Sequence, residues 1–206
     1  MTADDARADL AYVRELAESG HRAPLLGGRF LAWWGGLAAC TFLIHWMIWI
    51  GVIALGPNWL GALWIGFIVI GSAGMWALDR SMRGKPGSGS IGNRAQAAIW
   101  PVIGGCLLVY FLAVVTGATT GRLDPVFFNT MLPVSFLGYA IGWLSNAIIL
   151  RSVRLAVPGV ISLAGMYACM LMVTTAEVYL IAAATMAAST FIPGLLMMRA
   201  EPKDVV

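Results

Sequence analysis

One histidine lies well inside a long apolar run, and its side chain has the clearest chemical potential in the sequence. Thr41, His45 and Trp49 are spaced four residues apart, so a helix would carry all three on one face. An ionisable group within hydrocarbon costs about 2.5 to 3.5 kcal/mol on insertion scales, which makes it a functional candidate. One interpretation is an interior histidine hydrogen-bonded to a backbone carbonyl or to Tyr110. The other is a small polar pocket in the outer half of the membrane, lined by His45, Trp49, Tyr110, Asn129 and Glu177.

Two acidic residues stand at the ends of apolar runs. Glu177 follows Thr174 by three residues, which is the S/T-x-x-E spacing of a capping box and predicts a structural cap beside the pocket interpretation. Asp79 precedes Arg80, a pair that is typical of a solvated collar. Neither acid is therefore predicted to be catalytic.

The apolar runs do not contain the residues that several kinds of membrane enzyme or cofactor site require. A single histidine within the apolar runs cannot supply paired haem ligands, although one His with a Met stays open, and the runs contain no lysine for a Schiff base. Each cysteine lies in an apolar run without a second cysteine or a histidine at ligand spacing: Cys40, Cys106 and Cys169. We expect no catalytic residue, cofactor, metal site or disulfide, and an enzyme is the third-ranked class.

The composition places these residues in a membrane. Of 206 residues, 60% are hydrophobic and only 11% are charged, too few for the surface of a soluble domain of this size. The net charge of +3 comes from basic residues in short loops, so we expect no nucleic-acid contact.

Six apolar runs are long enough to cross a bilayer, which needs about 20 helical residues. The runs are 30–55, 59–78, 97–116, 125–150, 155–173 and 176–198. Turn signals separate them, including Asp124 as a helix cap before Pro125. The predicted fold is an all-α polytopic membrane protein whose six transmembrane helices form three hairpins, with a transmembrane domain over 30–198.

The basic residues predict the orientation. Twelve of the 13 Lys and Arg residues fall on one side of the predicted spans, and Arg122 alone falls on the other. Positive charge marks cytoplasmic loops. We therefore expect both termini in the cytoplasm, with 199–206 as a cytoplasmic tail.

Small residues predict close helix packing. Gly138 and Gly142 form a G-x-x-x-G pair on the fourth span, where helix backbones can approach closely. The sequence leaves open whether this face meets a helix of the same chain or of a second copy, so a homo-oligomer through Gly138 and Gly142 is one expectation.

Residues 1–29 are predicted to form a short cytoplasmic amphipathic helix and a linker. Leu10, Val13 and Ala17 form a narrow apolar stripe that must bury against something. The helix carries five acids, so anionic lipid is a poor partner. The five are Asp4, Asp5, Asp9, Glu15 and Glu18. We expect the stripe to dock on a cytoplasmic protein.

The stretch YVRELAESGHRAPLLGGRFLAWWG, residues 12–35, resembles the start of a loose group of uncharacterised small bacterial six-span membrane proteins with a cytoplasmic N-terminal helix. In that group the neighbouring gene often encodes a winged-helix regulator. The resemblance therefore implies a location in the bacterial inner membrane and a cytoplasmic regulatory partner. It supplies no site residues.

Two functions fit these observations. The first is a membrane-embedded binding or sensing subunit that signals to a cytoplasmic partner through its N-terminal helix. The alternative is a small oligomeric channel or carrier for a neutral or apolar solute, because six spans with few charges could form such a pathway.

Overall fold

The computed structural model describes residues 25–56, 58–82 and 89–200, and this part of the chain is mostly helical and contains no strand. The helices are α1 Gly28–Trp49, α2 Asn58–Met82, α3 Ile91–Thr119, α4 Met131–Ile149, α5 Val153–Leu171, α6 Glu177–Met186 and α7 Ile192–Arg199. A 3₁₀ turn, Pro125–Thr130, leads into α4, and a π turn, Ala187–Phe191, joins α6 to α7. The N-terminal stripe of Leu10, Val13 and Ala17 and the tail after Ala200 lie outside the described residues.

Six helical segments among the described residues are long and apolar enough to cross a bilayer. α1, α2, α3 and α5 each form one; the 3₁₀ turn with α4 forms the fourth, and Glu177–Arg199, here called the sixth span, contains α6, the π turn and α7. The prediction of an all-α, six-span membrane protein is confirmed, and the chain is a multi-pass membrane protein.

One predicted helix end is confirmed by the structure, and two predicted helix ends differ from it. Asp124 caps the 3₁₀ turn as predicted, and its carboxylate accepts the N–H of Val126 at 2.8 Å. α1 ends at Trp49, six residues early, because the chain turns at Gly51, whose φ of 78° is in the left-handed region that glycine tolerates.

The prediction of a capping box at Thr174 is wrong. α6 begins at Glu177 with Ala176 as its N-cap, and no side chain caps it. The chain is still turning at Thr175, whose N–H bonds the carbonyl of Met172. Glu177 is therefore the first helical residue and lies too early to complete the box.

The spans pack in a row, and the two helices of each predicted hairpin are neighbours in it. Contacts run from α2 to α1, then to the sixth span, α5, α4 and α3. Successive helices do pair across the short turns, yet the most extensive contacts join α4 to α5 and α1 to the sixth span. α2 and α3 lie at the two ends of the row and are mostly exposed to the surroundings.

Glycines let α1 and the sixth span touch along their backbones. A Cβ on Gly35 would lie 2.6 Å from the nitrogen of Phe191, and one on Gly194 would overlap the nitrogen of Ala32. Such contacts are typical of membrane helices, where small residues allow close approach. They fix which residues of α1 face which residues of the sixth span.

Candidate functional site

A buried stack of two polar aromatic rings joins α1 to α6. The rings of His45 and Tyr179 stack with centroids 3.6 Å apart and planes 16° from parallel. His45 is 6% exposed and Tyr179 is 4% exposed. The histidine is thus held inside the bundle by an aromatic ring from the sixth span.

Trp64 of α2 determines where the histidine carries its proton. The indole N–H of Trp64 donates to Nδ1 of His45 at 3.1 Å. An imidazole nitrogen that accepts a hydrogen bond is unprotonated, so the neutral ring carries its proton on Nε2. Among the described residues, this Nε2–H has no hydrogen-bond partner.

Tyr179 continues the connection to the turn before α4. Its hydroxyl donates to Oδ1 of Asn129 at 2.9 Å, and Nδ2 of Asn129 donates to the carbonyl of Val173 at 2.7 Å. Asn129 is buried in the 3₁₀ turn, and Val173 lies in the turn between α5 and α6. We call His45, Trp64, Asn129 and Tyr179 the His45 network.

Trp49 flanks the stack and is partly open to the surroundings. Its ring centroid lies 5.9 Å from that of His45 and 5.7 Å from that of Tyr179. The side chain is 45% exposed. Trp49 is therefore the member of the predicted pocket that a molecule arriving from outside the bundle could meet first.

The structure brings three of the five predicted pocket residues together, namely His45, Trp49 and Asn129, and separates the other two. Tyr110 shares a 2.7 Å hydrogen bond with Thr130, next to Asn129, and lies beside an open apolar surface of α3. Glu177 is exposed at the start of α6. Neither contacts His45 through a hydrogen bond or ring contact in the described residues.

Sequence reasoning does not assign Tyr179 to the site. The sequence feature that could have identified it is that Tyr179 is the one tyrosine of the predicted sixth span. A buried tyrosine hydroxyl usually has a hydrogen-bond partner. Trp64 is one of four deeper tryptophans with a candidate pocket role on sequence grounds, beside Trp46, Trp49 and Trp143. Its position opposite His45 depends on the packing of α1 against α2.

The His45 network is uncharged when its histidine is neutral, and this limits its chemistry. It offers stacked rings and an imidazole N–H without a partner in the described part of the chain, which suit binding of a flat molecule with a hydrogen-bond acceptor. Among residues 25–56, 58–82 and 89–200, no cluster of three or more His, Cys, Asp or Glu side chains could hold a metal ion.

The G-x-x-x-G face of α4 is occupied by α3 of the same chain. A Cβ on Gly138 would lie 2.8 Å from Ile103, and one on Gly142 would lie 3.0 Å from Trp100. Association of two copies through these glycines would require α3 to move away from α4.

Comparison of the chain with known protein families, with curated proteins and with solved structures found no match. The proposal for its function therefore depends on its own residues and geometry.

Proposed function

We propose that this protein is a membrane-embedded binding or sensing subunit, which takes up a ligand at the His45 network and passes the change to a cytoplasmic partner through its N-terminal helix. The observation that carries the proposal is the His45–Tyr179 stack, whose Nε2–H is available beside a half-exposed Trp49. The ligand that suits it is flat and uncharged, with an acceptor for that N–H.

The packing of α1 supports transmission along the bundle. The backbone contacts at Gly28, Gly35 and Gly194 leave little room for α1 to tilt against the sixth span. Because protein interiors are close-packed, a displacement at His45 would shift the helix as a unit rather than be absorbed locally. α1 leads directly back to Leu26 and the N-terminal segment.

Leu26 is also held by α3. Its backbone N–H donates to Oδ1 of Asn93 at 2.8 Å, and this bond is buried. Asn93 is in turn anchored by Ser90, the N-cap of α3, whose hydroxyl accepts the Asn93 N–H at 3.3 Å. The segment before α1 thus starts from a fixed point of the bundle, which favours the transfer of a small movement to it.

The proposal includes a bacterial inner membrane, which the resemblance of residues 12–35 implies. It has both termini in the cytoplasm, because twelve of 13 basic residues lie on that side. The stripe of Leu10, Val13 and Ala17 then faces the cytoplasm. It would bury roughly 200 to 300 Å² on a partner, or about 5 to 8 kcal/mol before entropy is subtracted. That area suits a weak, regulated contact.

The decisive experiment is crosslinking from native membranes with identification of the captured proteins. Leu10→Asp/Val13→Asp should lose the specific partner, whereas Ala8→Asp/Ala11→Asp adds the same charge outside the stripe and should keep it. His45→Phe preserves a ring for the stack but removes both nitrogens, and it should change the yield of the same crosslink at least several-fold.

Recovery of identical partners with all variants would contradict the proposal. Permanent packing of the N-terminal helix on its own spans, seen as uniform protection in hydrogen exchange, would do so as well. Solute flux in proteoliposomes that His45→Ala and Asn129→Ala abolish would favour the channel or carrier instead.

A further inference from the structure

Two exposed arginines lie where α4 turns into α5. Arg151 is in the turn and Arg154 is in the first turn of α5, and we call them the Arg151 pair. Neither has an ion-pair partner among residues 25–56, 58–82 and 89–200. The pair is separate from the His45 network, because the whole of α4 lies between Asn129 and Arg151.

No acid of the described residues lies near the Arg151 pair. Asp124 and Glu177 are at the opposite ends of the spans, and Asp79 is on α2, at the far end of the row of helices. The side of the bundle that carries the pair holds six described arginines: Arg29, Arg80, Arg94, Arg151, Arg154 and Arg199. An anion at the pair would therefore meet no competing carboxylate from the described chain.

The backbone at Arg151 suits glycine better than arginine. The N–H groups of Arg151 and Ser152 bond the carbonyls of Ile148 and Ala147 at 3.2 and 2.9 Å, which is the pattern of a Schellman motif. The residue in the place of Arg151 is usually glycine in that motif, because its φ is positive, and here φ is 49°. Arginine at such a place indicates that its side chain does something the turn itself does not need.

An exposed apolar strip runs along α5 from the Arg151 pair. Val153, Val157 and Val160 are all exposed, and spacings of four and three residues keep them on one face of the helix. Arg154 precedes Val157 by three residues and so adjoins the strip on the helix surface. Positive charge at one end of an apolar strip matches a phospholipid, in which a phosphate is joined to acyl chains.

We propose that the Arg151 pair binds the phosphate of an anionic phospholipid, with an acyl chain along Val153, Val157 and Val160. Guanidinium groups suit this role because they donate paired hydrogen bonds to phosphate oxygens. Arginines at the ends of membrane spans lie at the depth of the lipid headgroups. This binding does not depend on the ligand or the partner proposed for the His45 network, nor on the orientation of the chain.

Native mass spectrometry of the full chain in detergent, titrated with phosphatidylglycerol, tests the proposal. Arg151→Gln and Arg154→Gln should each weaken binding about fivefold, the usual contribution of one arginine near an anionic lipid surface. Arg80→Gln removes the same charge from the same side of the bundle, but from α2, and should leave the affinity unchanged. Phosphatidylcholine, whose headgroup carries its own positive charge, should bind more weakly and respond to none of the variants.

Arg151→Gly separates lipid binding from the stability of the turn. Glycine adopts a φ of 49° without strain, so the free energy of unfolding, measured by SDS titration, should not fall. The affinity for phosphatidylglycerol should nevertheless fall as it does in Arg151→Gln. A loss of stability in Arg151→Gly would show that the side chain holds the turn itself, and the lipid assignment would be wrong.

Unaltered affinity in both glutamine variants, or an equal loss in Arg80→Gln, would overturn the proposal, because the site would then not be at the Arg151 pair. Displacement of the lipid by an equal concentration of glycerol 3-phosphate would overturn it too. A soluble phosphate ester would then suffice, and the apolar strip would contribute nothing to binding.

Discussion

At the scale of single residues, the hydroxyl of Tyr179 ties the sixth span to the 3₁₀ turn. In Tyr179→Phe the ring still stacks on His45, but Oδ1 of Asn129 loses its donor while it remains buried. A buried acceptor without a partner costs about 1 to 3 kcal/mol, so we expect the free energy of unfolding to fall by that amount. Unfolding by SDS titration in mixed micelles measures it.

Tyr167→Phe is the matched control. Tyr167 is on α5 and is 65% exposed, so the loss of its hydroxyl should leave the free energy of unfolding nearly unchanged. Equal effects of the two substitutions would show that the Tyr179–Asn129 bond does not stabilise the bundle.

The sequence predicted the face that carries His45 but not the partners of His45. Periodicity placed Thr41, His45 and Trp49 on one stripe, and the structure buries the first two of them. The expected partner was a backbone carbonyl or Tyr110, whereas the structure supplies Trp64 and Tyr179. Their positions follow from contacts between different helices, which no spacing within one helix encodes.

At the scale of the helices, the contact between α1 and the sixth span makes a sharp prediction. In Gly35→Ala the new Cβ meets the backbone of Phe191, which cannot rotate away as a side chain could. Overpacking of this kind costs about 1 to 3 kcal/mol, and we expect a loss of that size in the free energy of unfolding. Thermal unfolding in detergent checks it.

Gly66→Ala provides the comparison within the same membrane. Gly66 is on α2, and a Cβ added there would have nothing within 4 Å among the described residues. Alanine at this position should be neutral or slightly stabilising, because it has the higher helix propensity. A loss as large as that of Gly35→Ala would mean that glycine is needed for some reason other than contact with Phe191.

Hydrophobicity and length were enough to predict that the six spans exist. They did not predict where a span departs from regular α-helix. The π turn of the sixth span precedes Pro193, which has no N–H to give to the carbonyl of Ser189. The 3₁₀ turn similarly precedes Pro133, which cannot bond the carbonyl of Asn129. Proline marks such places, but the sequence does not say whether the helix kinks, tightens or widens there.

At the scale of the whole molecule, the orientation in the membrane is open to a direct test. In a cysteine-free background, a cysteine at Arg122 should react with an impermeant reagent from outside the cell, and one at Ser88 should react after the cytoplasmic side is opened. The physical reason is the excess of positive charge on the Ser88 side. The reverse pattern of labelling would invert the topology.

Composition identified the class of the whole molecule, and the turns identified which helices follow one another. Neither of them predicts which helices lie side by side in the membrane. Lipid is the same solvent for every apolar helix face, so local packing decides which faces meet. Gly138 and Gly142 illustrate this. Their spacing predicted a close contact with another helix, and only the structure shows that the contacting residues are Ile103 and Trp100 of α3.

The pairing of α1 with the sixth span has a consequence for the synthesis and membrane insertion of the protein. The surface of α1 that carries Gly28 and Gly35 receives its partner only when the ribosome has made roughly 160 further residues. That takes about 8 to 30 s at roughly 5 to 20 residues per second. During that interval the first helix sits in lipid with its glycine face uncovered. The last helix to leave the translocon therefore completes the first, and a chain stopped before Glu177 would leave α1 without its main neighbour and exposed to membrane proteases.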